Sequence, residues 1–232
     1  MSMAKQTKQL TVEEAIRSRR SIRSFRPDPV PEEFILKVLD AARLAPSGSN
    51  NQPWRFLVAT DSEEKKRIRQ IALDQKFLEE AGAVIVCCAD LRAYSKGARS
   101  RRSQEFAQFG IYETLSGRFA DPAFRARLDS LPEPDPKIVI GPATANTFIA
   151  ITHMILMAEA LGLGTCWVGG IGKPGEISAL FGLPETVLPV ALVALGYPAK
   201  VPSPRPRLSL DEILLRPLHP PATGPGPEPR GI

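Results

Sequence analysis

The sequence predicts a single globular domain that combines α-helices with β-strands. Its 232 residues are enough to bury a sizeable core without disulfides or metals. Several segments show the capping residues and apolar spacing of amphipathic helices. Four short apolar runs between them have the length and composition of strands. The sequence contains no apparent internal repeat.

The first two predicted helices are marked by their N-terminal signals. Thr11 and Glu14 have the spacing of a capping box, so a short helix is expected to follow and to end near residue 20. A second helix is predicted over residues 31–44, where apolar side chains fall on one face. Pro46 ends it, because proline lacks the backbone donor and clashes with the preceding turn.

The next elements are a strand, a helix and a buried strand. Residues 54–60 are predicted to form a strand, and Asp61 to cap a helix that runs to about residue 80. Residues 83–89 are continuously apolar, as expected of a strand covered on both faces. Cys87 and Cys88 lie in this run and are expected to be buried thiols.

Residues 91–140 are weakly patterned and contain a plausible helix over residues 99–118. An insertion of this length between core elements suggests a lid or substrate loop, and an exposed decoration is the alternative. Glu105, Tyr112, Glu113 and Arg118 are its candidate substrate contacts, although such residues usually face solvent.

The second half predicts a buried helix over residues 143–161 that ends at Gly162. A strand (165–168), a helix (175–181) and a strand (187–196) follow, and the chain after Pro198 is expected to be irregular apart from a helical turn near 211–215. The predicted organisation is a flexible N-terminus (1–10), one domain (11–214) and a proline-rich tail (215–232).

Composition excludes several classes of protein. The net charge is only +5, and 30 basic residues are interleaved with 25 acidic ones, which disfavours nucleic-acid binding. No secretory signal or membrane-length apolar run is visible, so a soluble, cytoplasmic protein is expected. His153 and His219 have no spacing typical of a metal site or of a nucleophile–base pair.

The loop 45–56 is the most informative segment of the chain. It places two prolines, two serines, a glycine and three amides between a helix and a strand. Such a loop offers many hydrogen-bonding groups around a concave space, which suits a flat, heteroatom-rich ligand. Its candidate ligand contacts are Pro46, Ser47, Asn50 and Gln52.

Two arginine clusters and a glycine pair complete the set of candidates. Arg19, Arg20 and Arg23 follow the first helix, where arginines also commonly complement the helix dipole and stay solvated. Arg205 and Arg207 would project to one side of an extended chain, or remain solvated in a tail. Glycines 169 and 170 allow a backbone to come close to a ligand and present its N–H groups.

Taken in chain order, these segments closely resemble the FMN-dependent nitroreductase family. The resemblance rests on Arg-Arg-Ser-x-Arg, Ala-Pro-Ser-x-x-Asn-x-Gln-Pro-Trp, Gly-Leu-Gly-Thr-Cys-Trp and the late basic pair. It implies an α+β, three-layer fold whose mixed, mainly antiparallel sheet is flanked by helices. It also implies an obligate homodimer with FMN at the interface.

The resemblance also assigns roles to the candidate residues. Arg23 would contact the N1/O2 edge of the flavin ring, and Gly169 would place its backbone N–H at flavin N5. No dedicated acid, base or metal is implied. The FMN phosphate, ribityl chain and ring would be held by Arg19, Arg20, Ser21, Pro46, Ser47, Asn50, Gln52, Gly170, Arg205 and Arg207.

The implied reaction passes hydride from NAD(P)H through the flavin to an electrophilic small molecule, such as a nitroaromatic or a quinone, in a ping-pong cycle. Two alternatives remain: a specialised flavoenzyme of the same fold (a reductive dehalogenase or a flavin-fragmenting enzyme), and a non-catalytic flavin-binding protein. The sequence does not decide between NADH and NADPH, although the arginine-rich run 99–102, with Arg99, Arg101 and Arg102, suggests a site for the extra phosphate of NADPH.

Overall fold

The computed structural model describes residues 10–216. Contacts along the chain divide it into one compact unit that ends at Pro202 and a second that begins at Ser203. The predictions for the N-terminal residues 1–9, for His219 and for the tail beyond residue 216 lie outside the described residues.

The first unit contains eight helices and four strands within residues 10–202. The helices are α1 (Val12–Ser18), α2 (Glu32–Arg43), α3 (Ser62–Ile71), α4 (Phe77–Glu80), α5 (Lys96–Gln108), α6 (Pro122–Ser130), α7 (Pro136–Ala160) and α8 (Pro174–Phe181). The strands are β1 (Trp54–Ala59), β2 (Ala83–Asp90), β3 (Gly164–Val168) and β4 (Val187–Gly196). Short 3₁₀ turns follow Ser47, Asp90, Gly110 and Ser116.

The four strands form one sheet in the order β1-β2-β4-β3. All three strand pairs are antiparallel, and a parallel bridge joins Ser21 to Thr165 at the outer edge of β3. The predicted α+β class and mainly antiparallel sheet are therefore confirmed. The candidate site residues of this unit lie next to the two outer strands of the sheet, β1 and β3.

Apolar side chains cover both faces of the sheet. Every residue of β2 is buried, and its side chains alternate between the two core clusters, with Cys88 in one and Cys87 in the other. This confirms the prediction of a strand buried on both faces. Helix α7 packs on one face through the fully buried Ala150, Ile151 and Met154. It is long and apolar enough to cross a membrane, but these contacts are those of a core helix.

The predicted helix starts are confirmed at two caps. Thr11 and Glu14 form the reciprocal capping box at α1, and the Asp61 carboxylate accepts from the backbone N–H groups of Glu63 and Glu64. The single helix predicted from Asp61 to residue 80 is wrong, because the chain leaves the helical conformation at Leu73 and Asp74. Both of these residues have positive φ, which breaks the segment into α3 and α4.

Two other helices differ from their predicted bounds. Helix α5 spans Lys96–Gln108 rather than residues 99–118, since Gly110 turns the chain with a φ of 65°. Helix α7 begins at Pro136 rather than at residue 143. Asp135 caps the backbone N–H of Lys137, and a proline at the first helical position is a strong start signal. Pro142 is tolerated inside the helix.

The chain just after Pro198 is more regular than predicted. Residues 197–199 pair with residues 24–26 through the hydrogen bonds Arg26 N–H to Tyr197 O and Ala199 N–H to Ser24 O. In the second unit, helix α9 (Leu210–Ile213) confirms the predicted helical turn and has its own capping box from Ser209 and Glu212.

Candidate functional site

The segment after α1 is fixed against the outer edge of β3. Ser21 bridges Thr165, and the backbone N–H of Ile22 donates to Thr165 O at 2.8 Å. Ile22 is 2% exposed and packs so closely on Gly164 that a Cβ there would lie 2.6 Å from its side chain. The backbone that carries the predicted arginines is therefore held by packing.

The arginines of this segment face different surroundings. Arg19 is half-buried and Arg23 is exposed, and both lie close enough to Cys166 to affect its thiol. Burial raises the pKa of Cys166 overall, while the charges of Arg23 and Arg19 oppose that rise. The Arg20 guanidinium instead donates to the carbonyls of Arg17, Ser18 and Arg19, so it completes the C-terminus of α1.

Gly169 and Gly170 lie directly after β3 and are exposed. Within residues 10–216, no backbone carbonyl accepts from either of their N–H groups. A Cβ at Gly169 would meet no atom within 4 Å, so that side of the backbone is open. We call Arg19, Ser21, Arg23, Gly169 and Gly170 the β3 edge site.

The loop before β1, residues 46–52, contains three non-glycine residues with positive φ: Ser49, Asn50 and Gln52. Each such residue costs about 1 kcal/mol or more, and strain of this kind concentrates at ligand sites. Ser47 supports the loop by accepting from the Gln52 N–H at 3.0 Å. Pro46, Asn50 and Gln52 are exposed, whereas Ser47 is half-buried. We call residues 46–52 the β1 loop.

Two residues that the sequence did not indicate anchor the β1 loop to the helices. Asn146 of α7 accepts from the Gly48 N–H at 3.1 Å and donates to the Tyr94 hydroxyl at 2.8 Å. Hydrogen bonding to Asn146 connects segments that are far apart in the chain. No motif predicts such a contact, because it depends on how α7 packs beside β1.

Within one chain, the β3 edge site and the β1 loop lie at opposite edges of the sheet. Thr165, beside Ser21, belongs to the end of the sheet formed by Gly196 and Ala83. Trp54, which follows the β1 loop, pairs with Ala89 at the other end. Four strand spacings, because Ser21 lies outside β3, and about six residues along a strand separate Ser21 from Trp54 by roughly 28 Å. The chain does not bring these two groups of candidates together.

Arg205 and Arg207 lie in the second unit and are exposed. The Arg207 guanidinium donates to the carbonyl of Pro206 at 3.0 Å, which helps to hold this extended segment. Their predicted contact with a phosphate stays a prediction.

The segment between β2 and α7 (residues 91–135) encloses a cavity of about 300 Å³, which we call the α5–α6 pocket. Its wall includes Ser49 and Asn51 of the β1 loop together with Tyr94 and Arg99. Of the candidate contacts predicted in this segment, Tyr112, Arg99 and Arg102 line the pocket. The others, Glu105, Glu113, Arg101 and Arg118, are not part of its wall.

His153, the histidine within residues 10–216, does not belong to a metal-binding cluster. His153 is exposed on α7, and its Nδ1 lies 3.0 Å from Ile149 O. In the part of the chain that the structure describes, no group of three or more His, Cys, Asp or Glu side chains is placed to hold a metal ion.

Sequence comparison decides the family. Residues 16–197 match the profile of the Nitroreductase family. The chain belongs to this family. An NADH dehydrogenase of Thermus thermophilus is 34% identical over 214 residues, covering 89% of this chain and 96% of that protein. An FMN reductase [NAD(P)H] of Bacillus subtilis is 29% identical, covering 84% of this chain and 68% of that protein.

Structural comparison agrees with this assignment. A putative nitroreductase from Exiguobacterium sibiricum, solved in complex with FMN, superposes with a TM-score of 0.72 at 24% identity. The superposition covers 90% of this chain and 98% of that chain. At this identity the likeness establishes a shared nitroreductase fold.

Proposed function

We propose that the protein is a soluble, cytoplasmic, FMN-dependent NAD(P)H oxidoreductase. Membership of the nitroreductase family carries this proposal, supported by relatives named NADH dehydrogenase and FMN reductase. Each turnover oxidises one NAD(P)H and adds two electrons to a small electrophilic acceptor. For a nitroaromatic, R–NO₂, NAD(P)H and one proton give R–NO, NAD(P)⁺ and water.

The residues at the β3 edge site fit a phosphorylated flavin. Arg19 and Arg23 supply guanidinium groups suited to a phosphate or to the polar edge of a ring, and Ser21 adds a hydroxyl. The open N–H groups of Gly169 and Gly170 can donate to a ring nitrogen. Bound FMN supplies a two-electron carrier between donor and acceptor. Arg205 and Arg207 of the second unit are proposed to add to the phosphate contacts.

Arg20 takes a different part in this proposal. Because its guanidinium already donates to three carbonyls at the end of α1, its contribution is to hold the β3 edge site in place. A positioned cation at Arg23 favours the negatively charged, reduced form of the flavin ring. The protein then orients both substrates and excludes water, and ping-pong kinetics follow if donor and acceptor use the same face of the ring.

The geometry supports a site built from two copies of the chain. The β3 edge site and the β1 loop lie at opposite edges of one sheet, so a single chain cannot place both on one flavin. Large apolar side chains are exposed on three helices, as expected of a surface covered by a second copy. They are Val12 and Ile16 of α1, Leu36 of α2, and Ile138 and Ile149 of α7.

The visible spectrum of the purified protein tests this function directly. We expect a flavin band that bleaches within seconds after anaerobic addition of NADPH or NADH, and the relative rates would rank the two donors. A flavin that stays oxidised with both donors would contradict the reductase and favour a non-catalytic flavin-binding protein. A colourless protein that cannot take up FMN would contradict both.

Mixed dimers test the two-copy site. An Arg19→Gln/Arg23→Gln variant and an Asn50→Ala/Gln52→Ala variant should each be nearly inactive. In a mixed dimer one of the two sites has an intact β3 edge site and an intact β1 loop, so random mixing should restore about a quarter of wild-type activity. A co-expressed mixture no more active than the average of the two variants would contradict the shared site.

A further inference from the structure

The α5–α6 pocket has an excess of positive charge. Three arginines line it, Arg99, Arg102 and Arg125, against a single carboxylate, Asp129. The carboxylate is already engaged, because Ser103 Oγ–H donates to Asp129 at 2.7 Å, and the Tyr112 hydroxyl in turn lies 2.6 Å from Ser103 Oγ. The balance of charge in the pocket therefore favours an anion.

Two of the three arginines remain available to such an anion. Arg125 stacks over the Tyr112 ring at 4.2 Å and donates to two backbone carbonyls, so its guanidinium is committed to the wall. Arg99 and Arg102 contact only backbone carbonyls, and within residues 10–216 neither forms an ion pair. Burial lowers the pKa of Arg102, and the charges of Arg101 and Arg99 add to this effect, while Tyr94 and Glu105 oppose it.

The pocket also contains two buried polar atoms that lack partners. Across the described residues, Arg99 Nε–H has no acceptor and Asn51 Oδ1 has no donor. Such atoms are rare in folded proteins, because leaving each one unpaired costs about 1–3 kcal/mol. Both line the same cavity, and Asn51 belongs to the β1 loop. These atoms show that the wall of the pocket holds polar groups that the chain itself leaves without partners.

The rest of the wall suits an aromatic ring. Phe106, Tyr112 and Phe119 line the cavity together with Leu115 and Leu128. Phe106 meets Tyr112 edge to face, with ring centroids 5.8 Å apart. Apolar and aromatic walls with a few placed polar groups are typical of sites for flat small molecules.

We propose that the α5–α6 pocket binds the electron acceptor and selects aromatic molecules that carry a carboxylate or another anionic group. Arg99 and Arg102 bind the anion, and the aromatic wall holds the ring. This inference rests on the proposed function, which it deepens by naming the class of acceptor. It adds no chemical step to the two-electron reaction given above.

A matched pair of acceptors tests the inference. Steady-state kinetics would compare 4-nitrobenzoate with its neutral methyl ester, using wild type, Arg102→Gln and the control Arg127→Gln. Arg127 is exposed on α6 and outside the pocket, so its variant removes an equal charge from the same segment. We expect wild type to prefer the carboxylate, and Arg102→Gln to lose about 10- to 100-fold in kcat/KM for it. The ester should change little, and the control should behave as wild type.

Two results would overturn the inference: no preference for the carboxylate in wild type, or an equal change in Arg102→Gln and Arg127→Gln. A loss that appears in the KM for NADPH but not for NADH would assign the pocket to the donor's phosphate instead. An Arg99→Lys variant keeps a charge but removes the guanidinium, so a loss of carboxylate preference in this variant would support a role for Arg99 beyond its charge.

Calorimetric titration with benzoate separates this inference from the proposed function, because it needs no turnover. Benzoate binding that weakens in Arg102→Gln would support the pocket even if NADPH fails to reduce the flavin. Active flavin reduction without any benzoate binding would support the enzyme and contradict the pocket.

Discussion

The β3 edge site and the β1 loop keep their shapes in opposite ways. At the β3 edge, close packing fixes the backbone, with Ile22 pressed against Gly164 and no positive φ among residues 19–23. In the β1 loop, backbone N–H groups donate to Ser47 and Asn146, and these hydrogen bonds hold a backbone that is strained at three residues. The first arrangement favours a rigid anchor for a charged group. The second can adjust to a ligand, because its strain is balanced by a few polar contacts.

The largest effect is expected for a substitution of Arg23, the exposed arginine of the β3 edge site. Arg23→Gln should weaken FMN binding by about 10- to 100-fold, because a charge-assisted hydrogen bond is lost. Fluorescence titration of the apoprotein with FMN measures this change. Arg26→Gln is the matched control, since Arg26 pairs with Asp28 and lies over Tyr197. Equal affinities for the two variants would show that the β3 edge site does not bind the flavin.

Packing at the β3 edge can be disrupted without changing charge. Gly164→Ala would place a Cβ 2.6 Å from the buried Ile22 side chain and 2.9 Å from Pro198, which should destabilise the protein by about 1–3 kcal/mol. Gly48→Ala in the β1 loop meets no atom within 4 Å and should change the free energy of unfolding by less than about 0.5 kcal/mol. Urea unfolding of the two variants, at the same protein and FMN concentrations, measures these changes in the free energy of unfolding. Similar losses of stability in both variants would contradict the difference in packing between the two regions.

Acid should weaken the β1 side of the sheet through Asp90. Burial alone would raise the pKa of Asp90, but hydrogen bonds from Arg92 and the charges of Arg55 and Arg92 lower it overall. A lowered folded-state pKa means that this carboxylate stabilises the protein above its unfolded pKa of about 3.9, and that the stabilisation is lost as pH falls through the folded value.

Asp90→Asn should therefore destabilise the protein at neutral pH by about 1 kcal/mol, because the arginine partners remain partly solvated. The difference from wild type should shrink at acidic pH as Asp90 itself becomes protonated. Asp40→Asn is the control, since Asp40 pairs with Arg43 on the exposed surface of α2. A difference between Asp90→Asn and wild type that stays constant from pH 7 to about pH 3 would contradict this prediction.

The smallest effect concerns backbone strain at Gln52, which has a φ of 47°. Gln52→Gly removes the steric cost of this conformation but adds chain entropy to the unfolded state, so its stability should stay within about 0.5 kcal/mol of wild type. Gln52→Ala keeps the strain and loses the side chain, and should be less stable than Gln52→Gly by up to about 1 kcal/mol. The reverse order in thermal unfolding would show that the loop is not strained at this residue.

Local signals in the sequence were enough to predict much of this fold. The capping box of Thr11 and Glu14, the burial of β2 and the positions of all four strands follow from patterns within one element. The break at Leu73 and Asp74 could not be predicted in this way, because neither residue is a typical helix breaker. The break lies against a distant segment, since a Cβ at Gly172 would lie 2.3 Å from the Ile71 carbonyl oxygen.

The site was predicted as a set of motifs but not as an arrangement. Sequence order indicated the residues of the β3 edge site and the β1 loop, yet it gave no indication that one sheet separates them. The link from Asn146 to Tyr94 and the unpaired atoms of Asn51 and Arg99 depend on contacts between distant segments. Such contacts have no local pattern, so only the structure shows them.

The two thiols of β2 have a consequence for an enzyme that handles electrons. Burial raises the pKa of Cys88 to about 12, and burial with the neighbouring Cys88 raises that of Cys87 well above its usual range. Both sulfurs therefore stay protonated at neutral pH, and the protonated thiol is a poor nucleophile. Electrophilic oxidants, which thiolates attack, would therefore find no reactive sulfur in this strand. The same burial that stabilises the sheet thus protects its two thiols from oxidation.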